Sequence, residues 1–123
     1  MTIVARHYTK DPVGSHSGLG NWLMQRATAV VMALYTLGAL ACLAMQRPDS
    51  YAAWKALFAG GFARISTFIF FAALAWHAWI GMRDIFIDYV QVYGVRLMLQ
   101  AAVTVVLAGY VVWAAAVLWG LQP

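Results

Sequence analysis

The fold is decided by residues 65–82, ISTFIFFAALAWHAWIGM, an apolar stretch with one histidine and no formally charged residue. The hydrocarbon core of a bilayer is about 30 Å thick, so a helix needs roughly 20 apolar residues to cross it. Residues 27–45 and residues 97–119 are similar stretches, and neither contains a formal charge. Because backbone groups in lipid must be hydrogen-bonded within their own segment, we predict three membrane-spanning helices.

The composition agrees with a membrane protein and excludes several other classes. The 123-residue chain is 64% hydrophobic and 10% charged, whereas soluble domains are about 45–50% apolar and about 25% charged. The formal net charge is +4, but the positive residues are scattered singly between apolar runs, which does not indicate nucleic-acid binding. The single cysteine, Cys42, cannot form a disulfide within the chain.

We therefore predict one all-α membrane domain over residues 1–123. Its spans are expected at about residues 22–46, 64–90 and 96–120. Pro12 and three glycines favour an irregular N-terminal arm, residues 1–21, with Asn21 as the cap of the first span. The arm has no apolar core with a cleavage site, so we expect no signal peptide. Residues 50–62 form a mildly amphipathic segment that we expect to lie at the membrane interface.

The positive residues near the spans favour a cytoplasmic N-terminus. Cytoplasmic loops of membrane proteins carry an excess of Lys and Arg. Five such residues are expected on the side of the N-terminus and three on the opposite side. The five are Arg6, Lys10, Arg26, Arg83 and Arg96, and the three are Arg47, Lys55 and Arg64. The C-terminus would then lie on the outer side.

His77 is the strongest candidate for a functional residue, because an ionisable side chain inside a span is costly and marks a functional site by default. At 100° per residue, Gly81 lies about 40° from His77, and Asp84 and Asp88 lie about 20° to either side. A glycine one turn from a histidine lets a flat macrocycle approach the helix backbone. Three interpretations remain open: a structural histidine bonded to a neighbouring helix, a proton relay, and an axial haem ligand.

If His77 binds haem, the second axial ligand has to come from another polypeptide. The other histidines, His7 and His16, lie in the predicted arm outside the bilayer. Arg26 and Arg96 lie at the predicted starts of the first and third spans. Either arginine could extend to lipid phosphates, or it could pair with an anionic group such as a haem propionate.

Asp88 and Tyr89 lie near the end of the second span, on the predicted cytoplasmic side. The Tyr89 phenol could donate a hydrogen bond to a carbonyl oxygen while its ring stays in an apolar setting, with Asp88 orienting the phenol or taking part in proton delivery. Alternatively, Tyr89 is an interfacial anchor beside a solvated aspartate.

Several motifs together resemble a known family. HAWIGM at residues 77–82 is followed by Asp88 and Tyr89 and by RLMLQ at residues 96–100, and QRATA occupies residues 25–29. This pattern resembles the hydrophobic membrane anchor subunit of bacterial succinate dehydrogenase (succinate:quinone oxidoreductase, respiratory complex II). The resemblance extends from about residue 18 to residue 120.

The resemblance implies half of a heterodimeric, haem-binding helix bundle. A second anchor, the cytochrome b subunit, would sandwich one b-type haem against this chain, with His77 as one axial ligand. Tyr89 would hydrogen-bond ubiquinone, Asp88 would belong to the polar surroundings of that pocket, and Arg26 would lie near the haem propionates. Arg83 departs from the family pattern, because relatives have an apolar or aromatic residue there.

The resemblance also implies partners and a location. A flavoprotein and an iron–sulfur subunit would bind on the cytoplasmic face of the bacterial inner membrane, the C-terminus would be periplasmic, and the complex could form a trimer of heterotetramers. The chain itself would be a non-catalytic subunit that helps electrons from succinate reach quinone. The alternatives are an anchor of a quinol:fumarate reductase and a small scaffold or transport subunit without a cofactor.

Overall fold

The computed structural model describes the backbone of residues 11–120 and the side chains of residues 18–120. In this part of the chain all regular structure is helical. The helices are α1 (Asp11–Gln46), α2 (Tyr51–Leu57), α3 (Gly61–Tyr89) and α4 (Tyr93–Gly120). Three segments are long and apolar enough to cross a membrane, namely Gly18–Gln46, Gly61–Tyr89 and Tyr93–Gly120. The prediction of an all-α fold with three spans is confirmed.

The first helix begins earlier than the sequence predicts. The prediction of an irregular arm up to residue 21, with Asn21 as the helix cap, is wrong from Asp11 onward, because α1 already begins at Asp11. Pro12 does not prevent this, since proline is favoured in the first turn, where its missing N–H has no helical partner to lose. Each glycine costs only about 1 kcal/mol relative to alanine inside a helix. Residues 1–10 of the predicted arm lie outside the described residues.

The turn after α1 is sharp and is followed by the short helix α2. Arg47 has a φ of 43°, and the following Pro48 disfavours a right-handed helical conformation at that position. Ser50 then caps α2, because its hydroxyl oxygen accepts a hydrogen bond from the Ala53 N–H at 3.1 Å. α2 therefore lies within residues 50–62, the segment predicted to be amphipathic. Its location at the membrane interface stays a prediction.

α3 is the central helix and packs against both α1 and α4. Tyr35 of α1 pairs its hydroxyl with that of Thr67 of α3 at 2.6 Å and stacks on Phe70, with ring centroids 4.7 Å apart. On the other side of α3, the Trp79 indole N–H donates to the Thr104 hydroxyl of α4 at 2.9 Å. Neighbouring long helices are antiparallel, so the end of α3 lies beside the start of α1 and the start of α4.

Among residues 18–120, few side chains are fully buried, and most large apolar side chains are exposed on the helix surfaces. The buried residues of this range are Ala73, Ile80, Leu118, Thr28, Arg64 and Thr67. Helix association in lipid depends on close van der Waals packing and on hydrogen bonds between helices, because lipid tails are as apolar as the side chains. The buried positions of α3 are therefore those where a change in side-chain size should matter most.

We expect Ile80→Ala to lower the thermal midpoint of the assembled protein in detergent. Ile80 is 1% exposed, so its truncation leaves a cavity beside α3 and costs about 1–3 kcal/mol, mainly through lost packing. Ile69→Ala is the matched control, because Ile69 is on the same helix and is half exposed. An equal loss of thermal stability in both variants would contradict the assignment of Ile80 to the packing core.

Candidate functional site

His77 lies near the middle of α3 and contacts α1. Its Nδ1 atom is 3.1 Å from the Thr28 hydroxyl oxygen, although the two residues are 49 positions apart. Thr28 is 6% exposed, and part of the His77 side chain remains accessible at the helix surface. The contact agrees with a structural histidine bonded to a neighbouring helix. Metal-ligating histidines also hydrogen-bond through their second ring nitrogen, usually to a carboxylate, a backbone carbonyl or water.

A polar stripe on α1 faces this part of α3. Asn21, Gln25 and Thr28 are spaced by four and three residues, which places them on one helix face. A side-chain carbon added at Gly81 would lie 3.9 Å from the Gln25 amide nitrogen. Gly81 therefore faces the Gln25 amide, and its lack of a side chain leaves space next to that amide.

A polar cleft of about 400 Å³ lies between the start of α1 and the end of α3. Four of its lining residues have polar side chains, namely Asn21, Gln25, Arg83 and Asp84. Buried Ile80 also lines the cleft. Of the face predicted around His77, the cleft includes only Asp84, seven residues further along α3, and its lining does not include His77, Gly81 or Asp88.

Arg26 is not part of the cleft lining. It is exposed on α1, and its guanidinium lies over the ring of Trp22, 5.0 Å from the centroid. Trp22 itself lines the cleft. The structure therefore places the Arg26 guanidinium against a residue that lines the cleft, in a cation–π contact.

Asp88 and Tyr89 lie at the end of α3, away from His77. Tyr89 is the last residue of the helix and is 79% exposed, and Asp88 is exposed as well. Twelve residues of helix separate Tyr89 from His77, which corresponds to about 18 Å along the axis. Tyr93, at the start of α4, follows four residues later in the chain, and the structure does not bring Tyr89 to the histidine.

The sequence interpretation missed the residues of α1 that complete the surroundings of His77. No role was predicted for Thr28, which lies within an apolar span, and Asn21 was expected only as a helix cap. Their spacing with Gln25 was the available signal, because polar residues at helical intervals within a span mark a face turned toward protein. Arg83, for which no role was predicted, lines the same cleft.

The site can offer one ring nitrogen as a metal ligand, a polar cleft beside it, and a phenol at the helix end. None of the three encloses a ligand within residues 18–120. His77 is accessible at the helix surface, and Tyr89 is exposed. Such an open arrangement is suited to a site completed by another chain.

Comparison with known proteins identifies relatives over nearly the whole length. The model of the family described as succinate dehydrogenase/fumarate reductase transmembrane subunit matches residues 5–119. The succinate dehydrogenase hydrophobic membrane anchor subunit of Coxiella burnetii (strain RSA 493 / Nine Mile phase I) is 41% identical over 105 residues. That match covers 85% of this chain and 91% of the relative.

Proposed function

The chain belongs to the succinate dehydrogenase/fumarate reductase transmembrane subunit family, and we propose that it helps its complex to bind haem b and to pass electrons to ubiquinone. Its family and its three apolar helices make it a multi-pass membrane protein. As the anchor subunit of succinate dehydrogenase, it contributes no succinate chemistry of its own.

The observation that supports haem binding is the contact between His77 and Thr28. An imidazole in the middle of a span needs a functional reason, and haem iron is commonly bound by histidine. The Nδ1 atom of His77 is 3.1 Å from a buried hydroxyl, which leaves Nε2 as the nitrogen for a metal. The donor chemistry of His77 therefore fits an axial haem ligand.

The haem would be shared with a second chain. A six-coordinate b-type haem needs two axial ligands, and His77 is the one histidine of residues 18–120. We propose that the cytochrome b anchor subunit supplies the other ligand and covers the accessible side of His77. The bound haem would supply a one-electron store beside the quinone site.

Arg26 would lie near the haem propionates. Its guanidinium contacts Trp22, which lines the polar cleft. A guanidinium suits carboxylate geometry because it can donate two parallel hydrogen bonds. Its alternative role is a contact with lipid phosphates.

Tyr89 and Asp88 would form this chain's part of the ubiquinone site. The phenol can donate a hydrogen bond to a quinone carbonyl, and the neighbouring carboxylate can orient the phenol or take part in proton delivery from interface water. Both side chains are exposed, so a quinone pocket here would be closed by partner subunits.

We propose that these partners are the iron–sulfur and flavoprotein subunits, bound on the cytoplasmic side of a bacterial inner membrane. The distribution of positive residues supports this orientation, with the N-terminus cytoplasmic and the C-terminus periplasmic. The complex could associate further as a trimer of heterotetramers. The family description also includes fumarate reductase, so reduction of fumarate by quinol is the alternative direction. Initial rates in both directions with a defined quinone distinguish the two.

A reduced-minus-oxidised spectrum of the complex purified through a tag on this chain tests the shared haem. We expect a b-type spectrum, with one haem for each pair of anchor subunits. The measurement is haem content by pyridine haemochromogen against subunit stoichiometry. A pure complex without b-type absorption would contradict haem binding and favour a cofactor-free anchor.

A further inference from the structure

We infer that Thr28 is a positioning residue for His77: its hydroxyl oxygen accepts a hydrogen bond from the ring Nδ1–H and so holds the tautomer in which Nε2 carries the free lone pair. This inference rests on the proposed role of His77 as a haem ligand. It assigns to Thr28 a function that goes beyond packing between α1 and α3.

The hydroxyl proton of Thr28 is directed at the backbone of its own helix. The hydroxyl oxygen lies 2.8 Å from the Met24 carbonyl oxygen and 3.1 Å from the Gln25 carbonyl oxygen. A hydroxyl has one proton and two lone pairs. If the proton pointed at His77 instead, the hydroxyl oxygen would face both carbonyl oxygens with no hydrogen between them. That repulsion is costly in a membrane interior, where the local dielectric is low.

The hydrogen bond between Thr28 and His77 therefore has its proton on the ring. With the hydroxyl proton used on the backbone, the contact of 3.1 Å between Oγ1 and Nδ1 requires Nδ1 to be the donor. A neutral imidazole has one N–H, so the other nitrogen, Nε2, carries the lone pair. This is the nitrogen that a metal ion would bind.

Because Thr28 is buried, water cannot easily take the place of its hydroxyl as the acceptor for the His77 N–H. Thr28 is 6% exposed, and removal of its hydroxyl would leave the His77 N–H facing an apolar side chain. A hydrogen bond at the second ring nitrogen fixes the orientation of a ligating imidazole and raises its basicity. A more basic ligand stabilises ferric over ferrous iron, so Thr28 should lower the potential of the haem.

The test is Thr28→Val in the purified complex, because valine keeps the branched shape and lacks the acceptor. We expect the ferric-to-ferrous equilibrium to shift about tenfold toward ferrous, or about +59 mV in the midpoint potential for one electron. We also expect faster loss of haem to a competing apoprotein. Thr28→Ser keeps the hydroxyl and should restore both properties toward the parent values.

Two threonines provide matched controls. Thr36 on α1 donates to the Met32 carbonyl oxygen at 2.7 Å and is exposed, so Thr36→Val removes only a hydrogen bond within α1. Thr67→Val removes a second, partly buried hydrogen bond between α1 and α3, which joins Thr67 to Tyr35. We expect both controls to keep the parent midpoint potential. An equal shift in Thr67→Val would overturn the inference and assign the effect to helix packing.

A measurement on the parent complex does not depend on the folding of any variant. In the dithionite-reduced complex with ¹⁵N-labelled histidine, a protonated His77 Nδ1 supports the inference, and an unprotonated Nδ1 overturns it. If His77→Ala abolishes the haem spectrum while Thr28→Val changes neither potential nor haem retention, the inference on Thr28 fails and the proposed haem ligation stands. If His77→Ala leaves the spectrum unchanged, both fail.

Discussion

Replacement of His77 by alanine is expected to abolish the low-spin b-type spectrum of the assembled complex. Without the His77 imidazole, the proposed haem would lose one of its protein ligands, and it would convert to a high-spin form or be released. We expect haem content to fall at least about tenfold, in line with the usual effect of altering a metal site. Absorption and low-temperature EPR spectra of the purified complex measure the change.

Two variants separate the loss of a ligand from a loss of structure. His77→Gln can still donate a hydrogen bond to Thr28 but lacks the imidazole, so it should lose the low-spin spectrum as His77→Ala does. Trp76→Leu changes a half-exposed neighbour on another face of α3 and should keep the spectrum. Normal axial ligation in His77→Ala, with all subunits present, would reject His77 as the ligand.

Replacement of Tyr89 by phenylalanine is expected to lower kcat/KM for ubiquinone reduction by about 10- to 100-fold. A hydrogen bond from a phenol to a developing quinone oxyanion is worth about 1.5–3 kcal/mol, and each 1.36 kcal/mol corresponds to tenfold in rate. The phenyl ring keeps the apolar contacts, so the b-type spectrum should not change. Steady-state assays with a short-chain ubiquinone measure the effect.

Tyr93→Phe is the matched control for this experiment. Tyr93 is 67% exposed, lies four residues from Tyr89 at the start of α4, and has the Arg96 guanidinium 5.5 Å from its ring centroid. Removal of its hydroxyl should leave ubiquinone reduction within about twofold of the parent rate, a change of less than about 0.5 kcal/mol. Succinate oxidation by a soluble artificial acceptor should be unaffected in both variants. Unchanged quinone kinetics in Tyr89→Phe would favour an interfacial anchor tyrosine.

The sequence predicted the three spans because membrane insertion depends on the apolar character of a long segment, which composition records directly. The predicted ends at residues 90 and 96 differ by one and three residues from those of α3 and α4. Such differences are usual, because helix ends depend on local capping. The predicted start of α1 is wrong because glycine and proline, which favour irregular structure, are both tolerated near the start of a helix.

The pairing of residues between helices could not be predicted in the same way. Helical periodicity within α3 is enough to predict that His77, Gly81 and Asp84 lie on one face of the helix. Thr28 belongs to a different helix, and its approach to His77 depends on how the two helices rotate and cross. The spacing of Asn21, Gln25 and Thr28 indicates which face of α1 is turned toward protein, but it does not indicate which residue of α3 that face meets. The partner's share of each proposed site lies outside this chain altogether.

His77 and Tyr89 stand on one uninterrupted helix, Gly61–Tyr89. Their separation is therefore set by covalent geometry and backbone hydrogen bonds, and one added residue would change it by about 1.5 Å and about 100° of rotation. A change in membrane thickness or in subunit contacts would leave the spacing between His77 and Tyr89 nearly constant. In the proposed complex, the distance between the haem ligand His77 and the quinone residue Tyr89 would therefore stay fixed. The rate of electron tunnelling between the two sites would then be controlled through the difference between their redox potentials.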